Sequence, residues 1–297
     1  MPAALARRRA LARLMMAGSG VFFGLMAVLG RMLATGPAHF TPGQLAVVRC
    51  GVGVAVSLAV FAVRPSLFRP VNYPLLVARG LSGGVVLVLY FAALASIPAG
   101  EAGTIYNLFP AIAALMALGP LRERHPGRLW LAIGVATLGV ALVLGNGTVR
   151  LGLGWGEGAA LGAAFFAAVS ANVIRAMRGT DNAATIFFFL CLVGLPVVLP
   201  FALDPWPVGL VPWALAVVMA ISAFAAQVLM AEAYGPLSIG EAATWLQFTP
   251  IAQYLIAALL LGESITAMGV VGIAVSISGV AWATRLGQRT PAAVPPA

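Results

Sequence analysis

Long apolar blocks recur along the whole chain, and their length limits it to one kind of architecture. Each block runs for about 18 to 25 residues, the length of helix that crosses the hydrocarbon core of a bilayer. A transmembrane barrel would instead show segments of about ten residues with alternating polarity. Only 8% of the residues are charged, whereas a soluble domain is about a quarter charged. The chain is therefore predicted to be an all-α integral membrane protein, because helices satisfy their own backbone groups in lipid.

Ten transmembrane helices are predicted, and the loops between them are too short to hold an inserted soluble domain. The predicted spans are 14–35, 43–63, 74–96, 99–119, 128–146, 154–175, 184–203, 210–232, 238–261 and 265–284. The first block is too long for a signal-peptide core, so it is predicted to remain as a membrane helix. The Pro- and Ala-rich segment 288–297 is predicted to be a disordered cytoplasmic tail.

The basic residues predict the orientation of the chain. There is no lysine, and most arginines flank the apolar blocks, which is the pattern of topology determinants and not of a nucleic-acid-binding surface. With the amino terminus inside, the inner segments hold thirteen arginines and the outer loops hold only Arg150, with Arg31 near the outer end of the first span. We therefore expect a multi-pass protein of a bacterial inner membrane with both termini in the cytoplasm.

A polar pattern occurs twice in this apolar chain. The stretch GEAGTIYNLFP starts at Gly100, and GEAATWLQFTP starts 140 positions later at Gly240. The same register pairs Ser82 with Ser222, and a register one residue longer pairs Cys50 with Cys191. Matches at a nearly constant offset predict two five-helix repeats, 1–148 and 149–287. Because five is odd, the second repeat enters the membrane from the opposite face, and inverted repeats are typical of secondary transporters.

The chain resembles the EamA-type transporters of the drug/metabolite transporter superfamily, and most closely the YddG-type bacterial amino-acid exporters. The resemblance rests on QLAVVRCGVGVAV with Arg49, on Pro110 and Pro250 in the fourth and ninth spans, and on LLLGESIT after the ninth span. It implies a basket-like bundle of two inverted halves around a central cavity. Since Arg49 belongs to the family motif, we expect it to pair with backbone carbonyls or a lipid headgroup and not to contact substrate.

Each copy of the repeated pattern places polar side chains beside a helix breaker. Pro110 and Pro250 are expected to kink the fourth and ninth spans, because proline cannot donate its backbone hydrogen bond. Four polar residues share helix faces beside these kinks and are predicted to bind substrate; hydrogen bonding between helices is the alternative. They are Thr104 and Asn107 in the first copy and Thr244 and Gln247 in the second.

Aromatic and charged side chains complete the predicted site. Tyr90, Tyr106 and Trp245 are placed too deep to anchor the bilayer boundary and could receive an apolar side chain or an ammonium. Ser82 is included, together with Arg79, which could meet a carboxylate at the inner mouth or extend to the cytoplasmic surface. Close helix contacts are expected at the GxxxG motifs, including GVFFG at 20–24 and GLSGG at 80–84.

These features predict a transporter and not an enzyme, because no catalytic or metal-binding constellation can be drawn from eight acids and two histidines. The predicted function is export of small metabolites, foremost aromatic or neutral amino acids, by alternating access and gradient-driven facilitated efflux. A proton-coupled exporter of drugs or of metabolites such as nucleotide sugars is the alternative. The expected partners are this small solute and membrane lipid, without cofactor, metal or nucleic acid, and the expected state is a monomer.

Overall fold

The protein is described here from a computed structural model. The structure describes residues 2–96, 105–106, 108–109, 112–113, 116, 127–145, 154–237, 239–246, 248–261 and 267–287. All regular secondary structure within these residues is helical. The helices are α1 Pro2–Thr35, α2 Pro42–Val63, α3 Tyr73–Ser96, α4 Gly127–Gly145, α5 Trp155–Met177, α6 Ala183–Val198, α7 Leu210–Ala233, α8 Ile239–Leu246, α9 Phe248–Leu261 and α10 Ala267–Gly287, with short 3-10 turns at Pro65–Leu67 and Leu199–Phe201.

Six of the described helices are long and apolar enough to cross a membrane, so the chain is a multi-pass membrane protein. These stretches are Ala6–Thr35, Pro42–Val63, Tyr73–Ala93, Trp155–Met177, Ala183–Phe201 and Leu210–Ala233, and Trp130–Gly139 and Ala267–Gly279 are shorter apolar helices. Most of the fourth predicted span lies outside the described residues. The ninth predicted span contains α8 and α9, and its Gln247 also lies outside them.

Local sequence signals fix where several helices begin. The Thr41 side chain accepts a hydrogen bond from the backbone of Gln44, whose side chain bonds back to Thr41, so α2 starts with a capping box. Asn182 caps α6 in the same manner through the backbone N–H of Thr185. Helix α1 extends beyond the predicted first span, 14–35, and carries the first arginines on the helix itself.

Equivalent helices of the two repeats make equivalent contacts. Helix α1 packs along α7, and the Ser19 hydroxyl donates to the carbonyl of Ala226 at 2.8 Å. Helix α3 packs along α5 in the corresponding way, and Arg79 donates to Ser170 at 2.9 Å. The cavity described below lies between these two helix pairs.

Helices α2 and α6, which are also equivalent, face each other and run antiparallel. Gly43 near the start of α2 lies against Phe201 beyond the end of α6, and Gly53 lies against Cys191. Cys50 lies beside Cys191 across the same interface, and both thiols are free and buried. The two cysteines that the repeat pairs in sequence therefore also meet in the fold.

Helices α4 and α10 pair closely through glycines. Gly139 lies against the backbone of Ser276, and Gly279 lies against the backbone of Ala136. A shift of 140 positions converts one contact into the other, so the interface is reciprocal, as it is in a two-fold pair. These two helices make their most extensive contact with each other, away from the cavity.

Candidate functional site

A cavity of about 130 Å³ lies inside the helix bundle. Helices from both repeats contribute to its walls. Its polar lining residues are Arg49, Arg79, Tyr90, Tyr106, Ser170, Gln227, Tyr234, Thr249 and Gln253, and its apolar lining includes Phe23, Met26, Val86, Leu87, Phe109, Ile174, Leu190, Met230 and Leu246. No carboxylate occurs among these lining residues.

Arg79 crosses from α3 to the second repeat. Its Nη1 donates to the Ser170 hydroxyl at 2.9 Å, and its Nη2 donates to Oε1 of Gln227 at 2.8 Å. Gly83 provides room for the guanidinium, because a Cβ atom there would lie 2.8 Å from Nη1. Both partners are neutral, so the hydrogen bonds orient the guanidinium but leave its charge uncompensated.

Arg49 lines the same cavity from α2 and is 8% exposed. We predicted that this arginine pairs with backbone carbonyls or a lipid headgroup, and this stays a prediction beside its position in the cavity lining. Its guanidinium makes no hydrogen bond or ion pair with the described part of the chain. A buried arginine that faces a cavity without a partner is a functional candidate, because burying an uncompensated charge costs stability.

Aromatic rings form one wall of the cavity. The ring centroids of Tyr90 and Tyr106 are 4.6 Å apart, and those of Tyr106 and Phe109 are 5.3 Å apart. Tyr234 lines the cavity from the end of α7. Rings at this spacing offer apolar contact to a solute and faces that attract a cation.

The GVFFG motif places α9 at the cavity. Gly20 lies against the backbone of Thr249, and Gly24 lies against the backbone of Gln253, so α1 and α9 approach closely. Thr249 and Gln253 are one turn apart and both line the cavity. Oγ1 of Thr249 is buried without a hydrogen-bond partner in the described residues.

The structure brings only part of the predicted site together. Arg79, Tyr90 and Tyr106 line the cavity. Ser82 lies behind the lining, where its hydroxyl is 2.7 Å from that of Ser170, and so it supports the partner of Arg79.

The other predicted residues are not among the lining residues or are not described. Thr244 is buried outside the lining, and Trp245 stacks on Phe248 at 5.7 Å. Pro250 lies in α9. Thr104, Asn107, Pro110 and Gln247 lie outside the described residues.

Sequence reasoning missed several polar residues of the lining, although the repeat pointed toward them. Gln227 is the equivalent of Leu87, and both line the cavity. The same holds for further pairs of equivalent positions, namely Ala27 with Ser170, Arg49 with Leu190, Tyr106 with Leu246, and Phe109 with Thr249. The signal for Thr249 was its place in the second copy of the repeated pattern, two residues after the predicted Gln247.

A second group of arginines lies at the junction of α1 and α8. Nη2 of Arg13 is 2.6 Å from Oε1 of Glu241, and Nη2 of Arg9 is 3.7 Å from Oε2. Glu241 is 1% exposed, and it lies in the first turn of α8, where the helix dipole favours an acid. We call Arg9, Arg13 and Glu241 the α1–α8 ion cluster.

A more exposed ion pair lies close to the ends of α5 and α7. Arg178 is 2.7 Å from Glu232, whose side chain is 41% exposed. Burial lowers the pKa of Arg178, and the carboxylate of Glu232 opposes that shift. Nearby, Arg175 donates to the carbonyls of Tyr234 and Gly235 at 3.0 and 2.8 Å.

No group of three or more His, Cys, Asp or Glu side chains in the described part of the chain could hold a metal ion. The cavity offers hydrogen-bond donors, amides and aromatic rings, which bind a solute but carry no reaction.

An internal cavity between two repeats of membrane-crossing helices is the arrangement expected of a membrane transporter. The EamA-like transporter family matches residues 10–145 and again 154–285, so two matches together cover nearly the whole chain. The chain belongs to this family, which makes it a transporter of small molecules and not an enzyme.

Two curated relatives and one solved structure are similar to the chain. The pseudopaline exporter CntI of Pseudomonas aeruginosa is 23% identical over 225 residues, which cover 73% of this chain and 78% of the relative, in strain PAO1 and also in strain UCBPP-PA14. A crystal structure superposes with a TM-score of 0.78 at 21% identity, covering 95% of this chain and all of that one. At this identity the superposition shows a shared fold.

Proposed function

We propose that the protein exports amino acids or closely related small metabolites from the cytoplasm, as YddG-type exporters do. The observation that carries the proposal is a buried cavity that combines two arginines with aromatic rings and amides. Arginine binds carboxylate through fixed, paired donors, and the tyrosines can contact an ammonium or a side chain. The export direction is supported by the exporter relatives in Pseudomonas aeruginosa.

The size of the cavity favours a small solute. Sites for drug-sized ligands measure about 300 to 1,000 Å³, whereas this cavity measures about 130 Å³. A nucleotide sugar or a large drug would require a considerable expansion. We therefore prefer an amino-acid-sized substrate to the broader drug and nucleotide-sugar classes.

We further propose ten membrane crossings arranged as two inverted halves, 1–148 and 149–287, which alternate the access of the cavity. The antiparallel contact between the equivalent helices α2 and α6 supports inversion, because equivalent helices of parallel repeats would run in the same direction. The reciprocal contacts of Gly139 and Gly279 support a two-fold relation between the halves. The arginine distribution supports cytoplasmic termini in a bacterial inner membrane.

The two-fold relation predicts equal sensitivity at its two glycines. Gly139→Leu and Gly279→Leu should each destabilise the protein by about 1–3 kcal/mol, because each inserts a side chain into a filled contact. Gly134→Leu is the control, since Gly134 has open space around it and is exposed. Thermal unfolding in detergent measures the effect. A large loss at one glycine and none at the other would contradict the two-fold relation.

Facilitated efflux down the solute gradient fits the lining better than proton coupling. Proton-coupled exporters need an ionisable group deep in the path, and the described lining contains no carboxylate and no histidine. Among the predicted site residues, Arg79, Tyr90 and Tyr106 are proposed to contact substrate. We retain Ser82, Thr104, Asn107, Thr244, Trp245 and Gln247 as proposed site residues, lipid as the surrounding partner, and a monomer as the working unit.

The function is tested by flux through the purified protein in proteoliposomes. Vesicles are loaded with labelled amino acids, one at a time, and efflux is followed with and without a pH gradient. We expect efflux of at least one amino acid that is independent of the pH gradient and absent from protein-free vesicles. If no amino acid moves through correctly folded protein, the substrate class is wrong, and efflux that requires a pH gradient would support the proton-coupled alternative.

A further inference from the structure

The cavity holds two positive charges and, among its described lining residues, no negative one. Arg49 is 8% exposed and Arg79 is 3% exposed, and the two guanidinium groups are near enough to repel each other. An uncompensated charge at membrane depth is costly and marks a functional site by default. Two such charges give the cavity an excess of positive charge that a neutral solute would not compensate.

Arg79 is oriented by neutral groups alone. It donates to the Ser170 hydroxyl and to the amide oxygen of Gln227, and its Nε is buried without a partner in the described residues. Ser82 in turn hydrogen-bonds Ser170 and the backbone of Arg79. This network fixes the side chain while its full charge is retained, as in a preorganised anion site.

Arg49 has no partner among the described residues that could serve the same purpose. It lines the cavity and makes no hydrogen bond or ion pair with the described part of the chain. The equivalent position in the second repeat is Leu190, which lines the cavity with an apolar side chain. The second repeat therefore fills the equivalent position without a charge.

We propose that the transported solute carries two acidic groups, one bound by Arg49 and one by Arg79, and is thus an amino-dicarboxylate-type metabolite and not a neutral amino acid. This inference rests on the proposed function and specifies its substrate. One carboxylate would compensate one guanidinium and leave the other buried and unpaired, whereas two carboxylates compensate both. The aromatic wall of Tyr90 and Tyr106 remains available for the ammonium group.

Glutamate and glutamine form the matched probe pair, because they differ in one acidic group and hardly in shape. Purified protein in proteoliposomes is loaded with either labelled compound, and initial efflux is measured together with thermal stabilisation in detergent by the same compounds. We expect glutamate to be preferred by at least ~10-fold, since hydrogen bonds to charged groups contribute more than neutral ones. Aspartate should behave as glutamate does, and asparagine as glutamine does.

Variants of the two arginines show which charge is responsible. Arg49→Gln and Arg79→Gln should each reduce the glutamate-to-glutamine preference to near one, while Arg49→Lys should retain part of it because the charge remains. Arg64→Gln is the control on the same helix, because Arg64 caps α2 and is exposed. If a glutamine variant fails to fold, the glutamate-to-glutamine preference of the wild type and of Arg49→Lys still tests the inference.

Several outcomes would overturn the inference. Equal efflux of glutamine and glutamate by the wild type would refute it while leaving amino-acid export intact. Efflux of neither, with other amino acids moving, would also refute it, whereas movement of no amino acid at all would refute the proposed function. Stabilisation by chloride or sulfate as strong as that by glutamate would assign the charges to an inorganic counter-ion.

Discussion

Two groups of arginines in the described part of the chain differ in their partners. In the α1–α8 ion cluster, Arg9 and Arg13 face Glu241, which is almost fully buried. In the cavity, Arg49 and Arg79 face no carboxylate among the described lining residues. A buried acid compensates the charge of its arginines within the chain, so removal of the acid is strongly destabilising. A buried arginine without such an acid costs stability, and we propose that it is retained because it binds a solute.

Removal of the acid from the α1–α8 ion cluster should have the largest effect on stability. Glu241→Gln leaves two arginines near each other without a counter-charge, so we expect a loss of about 3 kcal/mol, or roughly 6–12 °C in Tm. Thermal unfolding of the purified protein in detergent measures it. Glu232→Gln is the control, since its exposed pair with Arg178 should contribute only about 0–1 kcal/mol. If both variants lost the same stability, the buried ion cluster would contribute no more than the partly exposed pair, contrary to this prediction.

Removal of a cavity arginine should lower efflux but leave the thermal stability unchanged or higher. Arg49→Gln takes away a buried charge that has no partner among the described residues, so Tm should stay the same or rise. Efflux of the transported solute should fall by ~10- to 100-fold, because a charged hydrogen bond to the solute is lost. Efflux and Tm are measured on the same preparation. If Tm falls as far as in Glu241→Gln, Arg49 belongs with the structural arginines and the comparison fails.

Removal of an orienting group should have the smallest effect. Gln227→Leu gives this position the residue of its equivalent, Leu87, and takes one acceptor from Arg79. Since Ser170 still holds Nη1, we expect a loss in efflux of about tenfold or less and little change in Tm. Val217→Leu, at an exposed position of the same helix, is the control. Unchanged efflux would show that the amide does not position the guanidinium.

The sequence predicted the helical membrane class, because hydrophobic length and scarce charge leave few alternatives in lipid. The repeat predicted which helices are equivalent, and Cys50 and Cys191, which it pairs, are in contact. Arg79, Tyr90 and Tyr106 were selected because polar and aromatic groups deep in a span need a reason to be there. The predicted residues Thr104, Asn107 and Gln247 lie outside the described part of the chain and remain predictions.

The residues at which a membrane helix begins and ends are easier to predict than the face that it turns toward a cavity. Lipid and the protein interior are both apolar, so the pattern of α2 does not show which way the helix is rotated. The arginine in its family motif therefore seemed structural, although Arg49 lines the cavity. Trp245 lies outside the lining, where its ring stacks on Phe248, and its role in the site remains a prediction.

The central claim is that the unpaired cavity arginines bind the acidic groups of the transported solute. A structure of the protein determined by electron cryomicroscopy with glutamate present tests it most directly. The account predicts density for glutamate in the cavity, with carboxylate oxygens about 2.7–2.9 Å from guanidinium nitrogens of Arg49 and Arg79. Glutamate bound elsewhere, or an Arg49 guanidinium bonded to backbone carbonyls beside an empty cavity, would contradict it.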